Sequence, residues 1–496
     1  MYVNGEVYLG LAENGERVIL PLSACNRHGL IAGSTGTGKT VTMQVLAESF
    51  SDAGVPVFVC DIKGDVSGLC VPGAQTDAME ERIDRFGIRG EFAYKSFPVT
   101  FWDLYGKSGH PVRATVSDIG PTLLSRILNL TEVQEGVMGI LFRIADDKGM
   151  KILDLKDLRT LLSFVTAHRS DYIPVYGNMS AQTLGAITRA LLPLEDDGGE
   201  LFFGEPMLDI RDFIRTDAEG RGVINVLDSV KLSLNPKLYS MFLLWMLSEL
   251  YEELPEVGDL EKPKLVFFFD EAHMLFTDTP RALVAKIEQV IKLIRSKGVG
   301  VFFVTQNPRD IPESVLAQLS NRVQHALRAY TPEEQKAVRA AALSFRANPD
   351  FDTEEVITQL GVGKALVSVL DGEGVPTVVQ KTAILCPQSK MGAADPADRE
   401  AAVAADGMER YDHAIDSYSA FEQLEEQRIL EEERARLEAE KKALEKEKAE
   451  LAKQKAKEAA AKKKKQEQRQ RRIESELISI GGSVIRRGIL NILKKK

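Results

Sequence analysis

Short runs of alternating hydrophobic and polar residues open the chain. EVYLGL and ERVILPL, separated by the turn AENGE, predict a β-hairpin within the first 28 residues. HGLIAGSTGTGKT then runs from an apolar strand into a glycine-rich loop, and TVTMQVLAESF continues at helical spacing. A second strand, VPVFVCD (55–61), follows. Strand, loop, helix, strand is the opening of a parallel α/β sheet. Between residues 108 and 201 the period changes. TLLSRILNL, EGVMGILFRIADD, LKDLRTLLSFVTAH and AQTLGAITRALLPL place apolar residues at i, i+3 and i+4, which predicts a helical insertion. Strands return with GVINVLD (222–228), KLVFFFDEAH and VGVFFVTQNP, separated by the helical stretches LYSMFLLWMLSELYEEL and ALVAKIEQVIKLIRSKG. Residues 356–386 predict a closing β-hairpin.

The expected division is therefore an α/β core in two parts (1–107 and 202–390) around the insertion 108–201, then a linker over 391–420. The linker is expected from its Ala- and Asp-rich composition, AADPADREAAVAADG. From 421 to 472 the residues are almost all Glu, Lys, Arg, Gln, Ala and Leu. Leu430, Leu437, Leu444 and Leu451 recur every seven residues, but the neighbouring seam is polar on either choice: Arg434, Lys441, Lys448, or Glu433, Glu440, Glu447. A stable two-stranded coil needs both seams apolar. The pattern leaves a long solvated helix or a weak coiled coil, roughly 78 Å long at ~1.5 Å per residue. Residues 473–496 predict a basic amphipathic segment with Ile485, Ile489 and Ile492 on one face, suited to docking on a protein or on anionic lipid.

Composition narrows the class. The chain has 496 residues, 44% hydrophobic and 27% charged, enough to bury a large core. No apolar window approaches the roughly 18–20 residues that span a bilayer, and the opening MYVNGEVYLG has neither the basic nor the apolar region of a secretory signal. Four cysteines form no CxxC pair, which disfavours a disulfide framework or a structural zinc. A soluble cytoplasmic protein is expected. The net charge of −10 conceals a split: residues 421–496 carry 22 Lys and Arg against 15 Glu, a net of +7, leaving −17 on residues 1–420. An acidic body advertises no nucleic-acid surface, whereas a basic tail is compatible with one or with plain solvation.

The chemistry begins at Gly33-Ser34-Thr35-Gly36-Thr37-Gly38-Lys39-Thr40, a full G-x-x-x-x-G-K-[ST] match between a strand and a helix. A loop that wraps a phosphate closely leaves no room for Cβ atoms, so successive backbone N–H groups turn inward toward the anion. The helix N-terminus faces the same charge. Lys39 then supplies a cation to the β and γ oxygens of ATP, and the Thr40 hydroxyl a ligand to Mg2+. A second half is expected where the strand Leu265–Phe269 ends in Asp270-Glu271. Asp270 is the candidate metal carboxylate and Glu271 the candidate base for the attacking water. Gln306, ending the strand VFFVTQN, is a candidate γ-phosphate or water sensor. Asp61, in Asp61-Ile62-Lys63-Gly64-Asp65, is a candidate to act on the metal indirectly. An arginine opposite the γ-phosphate is sought among Arg295, Arg309 and Arg322, with Arg295 leading.

RHGLIAGSTGTGKT, DIKGDVSGL, KPKLVFFFDEAHMLF and IRSKGVGVFFVTQNPRDIP together resemble the HerA-like branch of the HerA/FtsK superfamily, most closely the bacterial DUF853 type; RRGIL (486–490) also looks familial. The resemblance implies an α/β fold with a RecA-like P-loop NTPase core, a hexameric ring with ATP at subunit boundaries, and double-stranded DNA in the pore. It places Lys39 and Thr40 in the Walker A motif, Asp270 in Walker B, Glu271 as the catalytic glutamate, Gln306 as sensor, and an intersubunit or sensor arginine near Arg295. Archaeal HerA proteins dock a nuclease through an N-terminal β-barrel. About 30 residues precede Gly33, too few for that barrel, so a nuclease partner is not expected. Three functions follow as expectations: a Mg-dependent ATPase that is a DNA helicase or translocase, a regulatory or protein-remodelling ATPase, and a scaffold in which ATP steadies a ring.

Overall fold

The computed structural model describes residues 1–492 apart from 259, 278 and 280, and excludes the side chains of 282, 283 and 480–492. Residues 1–421 and 422–496 form two separate units. The first is built on a sheet of thirteen strands. In chain order these are β1 (Tyr2–Val3), β2 (Glu6–Ala12), β3 (Arg17–Leu20), β4 (Gly29–Ala32), β5 (Val57–Asp61), β6 (Val99–Asp103), β7 (His110–Pro111), β8 (Ile224–Asp228), β9 (Leu265–Phe269), β10 (Val299–Thr305), β11 (Asn321–His325), β12 (Lys364–Ser368) and β13 (Gln380–Ile384). They lie in the order β1-β2-β13-β12-β11-β4-β10-β9-β5-β8-β6-β7, with β3 paired to β2. From β11 to β7 every pairing is parallel. The hairpins β2–β3 and β12–β13 extend one end as antiparallel strands. Residues 356–359 of the expected closing hairpin belong instead to the helix Thr353–Gln359.

The central strands are continuous apolar runs because both faces are covered. On one face the helix Lys39–Asp52 lays Met43, Leu46 and Phe50 among Ile31, Val59, Val266, Phe268 and Phe302. The Phe50 ring lies 6.0 Å from Phe302 and 6.2 Å from Phe268, so one aromatic joins helix, β9 and β10. Phe267 points the other way, as the two-residue period of a strand requires, and stacks near Phe58 at 5.1 Å. On that side Tyr239, from the buried helix Pro236–Glu253, reaches Cys60 of β5.

Between β7 and β8 the chain is helical. Thr115, Thr131, Asp154 and Ser180 each accept a backbone N–H at a helix start, and Thr131–Gln134 and Asp154–Asp157 close capping boxes. Gly120, at φ 72°, breaks the first of these helices just before Pro121.

The stretch 391–420 differs from the expected linker. Arg399, from the helix Pro396–Ala405, donates to Asp228 Oδ2 (3.0 Å) and to the Ser108 carbonyl (2.6 Å). His110 sits between Asp406 (2.9 Å) and Asp412 (2.6 Å), while Tyr411 is buried beside Trp102. Ser419 and the Phe421 N–H both meet Asp157. This strap is held by a few large or charged anchors spaced among alanines, so its average composition reads as a linker while its contacts fix it along the sheet edge.

The described residues of the second unit, 422–492, all belong to one helix, Ala420–Ile492. Arg428 pairs with Glu432 (2.7 Å) and Arg436 with Glu440 (3.4 Å), the i,i+4 ladders that support a solvated helix. Leu430, Leu437, Leu444 and Leu451 are all half-exposed or more. The amphipathic face expected from Ile485, Ile489 and Ile492, and the side chains of RRGIL, lie outside the described residues.

Candidate functional site

Parallel strands send every loop that follows them to the same edge of the sheet. That topology collects the glycine loop after β4, the Asp61 turn after β5, Asp270-Glu271 after β9 and Gln306 after β10. Strand β10 lies between β4 and β9, with Thr305 opposite Ala32 and Phe303 opposite Phe269. The loop is stitched to its neighbours: Gly33 N–H donates to the Thr305 carbonyl (3.2 Å) and Ser34 N–H to the Ala326 carbonyl (2.8 Å).

Within the loop, Gly33 has φ 153°, and a Cβ there would lie 2.5 Å from the Cβ of His325. Gly36 has φ 75° and would meet nothing within 4 Å. One glycine is demanded by packing beneath the loop, the other by a left-handed turn facing open space. Lys39 is buried, and its ammonium donates to the Gly33 (2.6 Å) and Ser34 (3.2 Å) carbonyls. Burial is the main force lowering its pKa; nearby Lys63 adds to it, against Glu271 and Asp270. His325, unmarked by any sequence motif, supports the loop from β11: its Nε2 lies 2.8 Å from the Thr42 hydroxyl. Burial, reinforced by Lys39, lowers its pKa to about 4 and keeps it neutral.

The acidic pair is more constrained than its position at a strand end implies. Asp270 is buried, and its Oδ2 has no hydrogen-bond partner among the described residues. Burial pushes its pKa up, partly opposed by Lys63. Glu271 stands at φ 44°, a left-handed conformation that strains a residue with a side chain by about 1–3 kcal/mol. Its carboxylate accepts from Gln306 Nε2 (3.1 and 3.3 Å) and Lys63 Nζ (2.8 Å), and His273 Nδ1 lies 3.3 Å away. Burial raises the Glu271 pKa, but Lys63, Gln306 and His273 together outweigh it, and the net lies below the ordinary value.

Asp61 does not face this pair as a free carboxylate. Its oxygens accept the N–H groups of Gly64 (2.8 Å), Asp65 (3.2 Å) and Val66 (3.0 Å), bracing its own turn. Burial lifts its pKa to about 6 against those bonds. What the turn presents is Lys63, which also lies 3.5 Å from Asp270 Oδ2. The arginines divide by sheet edge. Arg295 precedes β10, whose seven residues span roughly 23 Å at ~3.3 Å each. It therefore lies at the far edge, near His28, and takes no part in the phosphate site of its own chain. Arg322 is tied to the carbonyls of Leu319, Leu316 and Ser344. Arg309 reaches the loop edge but pairs with Glu333 at 2.7 Å. Arg328, outside the motifs, meets the loop through its backbone: its main-chain N–H donates to the Ser34 hydroxyl (3.2 Å), while its guanidinium donates to the Thr358 carbonyl (2.7 Å).

This strand order, with a glycine loop after β4 and an acidic pair after β9, defines a RecA-like P-loop NTPase core. The family model described as helicase HerA-like, C-terminal, matches residues 6–495, and the chain belongs to that family. The chain is similar to the DNA double-strand break repair helicase HerA of Sulfolobus acidocaldarius, 21% identical over 386 residues that cover 76% of this chain and 69% of that one. It is also similar to the probable helicase MJECL08 of Methanocaldococcus jannaschii, 30% identical over 122 residues, 24% of this chain and 22% of that one. The chain thus spans about a fifth to two thirds of the length of these relatives. In fold it is similar to the plasmid coupling protein TrwB in complex with ADP and Mg2+, with a TM-score of 0.51 at 15% identity, covering 77% of this chain and 90% of that one.

Proposed function

We propose that this chain is a Mg-dependent ATPase that assembles as a homohexameric ring in the cytoplasm and moves along double-stranded DNA. The carrying observation is the meeting of loop, acidic pair and Gln306 at the ends of three adjacent strands, linked through Gly33–Thr305 and Gln306–Glu271. The residues fit a metal–triphosphate: Gly36 faces open space, and Asp270 keeps a buried carboxylate oxygen without a hydrogen-bond donor. Gly33, Ser34, Thr35, Gly36, Thr37, Gly38 and Lys39 would hold the phosphates, and Thr40 and Asp270 the magnesium. Magnesium, when bound, neutralises phosphate charge. Lys39 exchanges its two loop carbonyls for phosphate oxygens. Gln306 holds the Glu271 carboxylate in place, and Glu271 orients a water and takes its proton. Arg295 remains in this reading only as a residue offered to a neighbouring subunit.

Similarity to a DNA repair helicase supports duplex DNA as the track. The test is ATP turnover by the full chain with and without duplex DNA at rising salt, with particle size measured with and without ATP. Stimulation that fades with salt is expected, because phosphate contacts release counterions. Turnover indifferent to DNA at every salt would overturn the motor and leave the protein-remodelling ATPase.

A further inference from the structure

Lys63 occupies an unusual position for a residue on a surface turn. Its ammonium lies 2.8 Å from Glu271 Oε1 and 3.5 Å from Asp270 Oδ2, so one cation bridges both members of the acidic pair. The bridge is built. Asp61, itself buried, accepts three successive N–H groups of the turn, Gly64 supplies a left-handed φ of 74°, and β5 lies directly beside β9. The side chain is about one-third exposed, so it has a path outward.

Two carboxylates side by side in a buried strand end need a counter-charge. In the nucleotide-free geometry Lys63 provides it. A divalent cation held at Asp270, directly or through one of its waters, draws on that same carboxylate. An ammonium and a dication within a few ångströms of one oxygen repel strongly, so the two exclude each other. Asp65, on the same turn, has a buried Oδ1 without a hydrogen-bond partner among the described residues and acts electrostatically on Lys63, giving a displaced ammonium an anionic neighbour.

We propose that Lys63 is a stand-in for the metal: it holds Asp270 and Glu271 while the site is empty, and must withdraw before a divalent cation binds at Asp270. This rests on the nucleotide-site reading above and adds a consequence. The metal alone competes poorly with Lys63 and enters well only with the triphosphate, whose negative charge compensates the crowding of cations. Lys63 is thus a positioning residue, acting through the carboxylates it holds.

The test is Mn2+ binding to the full-length, nucleotide-free protein, read from the loss of the free-ion electron paramagnetic resonance signal. The wild type should bind weakly. Lys63→Met, which keeps the length of the stem and removes the charge, should bind at least tenfold more tightly. Adding Asp270→Asn should abolish the gain, and Lys63→Arg should stay near wild type. A merely structural role predicts loss of affinity in Lys63→Met, never gain. Equal or weaker Mn2+ binding by a folded Lys63→Met protein would overturn the proposal; if that variant does not fold, Lys63→Gln gives the same comparison. A separate arm measures a fluorescent ATP analogue with Mg2+ on the wild type. Failure there would sink the nucleotide-site reading, whereas success there with no gain in Lys63→Met sinks only the role of Lys63.

Discussion

His110 gives the strap 391–420 a measurable pH dependence. The imidazole is almost fully buried, with one ring nitrogen on Asp406 and the other on Asp412. Two carboxylates on two ring nitrogens require the doubly protonated, charged form. Burial works against that charge, but the two aspartates more than compensate and raise the pKa from 6.5 to about 9. When the strap detaches, both carboxylates leave and the value returns toward 6.5. The folded pKa is raised, so the linked stabilisation is complete below pH 6.5 and disappears as pH rises through about 9. Moving the pKa from 6.5 to about 9 corresponds to ~3.4 kcal/mol. Asp412 is 41% exposed, and discounting its solvent-screened share leaves about 2 kcal/mol, roughly a thirtyfold change in strap opening. Limited proteolysis within 391–420, normalised at each pH to cleavage of an unfolded peptide, reads that opening directly. Cleavage of the wild type should accelerate about fifteenfold between pH 6.5, where half of the detached-state imidazoles are already protonated, and pH 10. His110→Asn should open more readily at pH 6.5 and show a flat profile. Parallel profiles for the two proteins would refute the reasoning.

Other substitutions separate the parts of the site. Gly33→Ala places a methyl 2.5 Å from His325 Cβ at a left-handed φ, and should destabilise the protein by about 1–3 kcal/mol in urea denaturation while weakening nucleotide binding. Asp61→Ala leaves three turn N–H groups without their acceptor and should cost about 1–3 kcal/mol, with a loosened Lys63 turn visible as faster hydrogen exchange at Gly64–Val66. Arg295→Ala should leave the nucleotide affinity of isolated subunits unchanged, because the side chain lies at the far edge of the sheet; any effect should appear only in assembled particles.

The elements that carried their own signals were legible. A glycine loop between strand and helix, an acidic pair closing an apolar strand, and Gln306 closing the next one are each encoded within a dozen residues, and the parallel topology brings them together. Lys63 and His325 were not legible, because their roles depend on strand neighbours distant in sequence: β5 beside β9, and β11 beside β4. Arg295 lies away from the phosphate site of its own chain for a related reason. It stands between two motif strands in the chain, but a crossover helix carries it back to the edge where strands begin, opposite the edge where their loops gather. The strap was hidden by averaging, since Arg399, Tyr411 and the two aspartates around His110 are few among alanines.

The central claim is that the glycine loop and the acidic pair after β9 serve one metal–triphosphate, with Glu271 as base. Its most direct test is single-turnover ATP hydrolysis by Glu271→Gln beside the wild type, with Lys39→Ala as the control that should fail to bind nucleotide. Glutamine keeps the size and the hydrogen-bonding reach of the side chain but cannot take a proton, so nucleotide should bind while hydrolysis falls by about 10²–10⁴. Hydrolysis at the wild-type rate in a glutamine variant with normal binding would contradict the account.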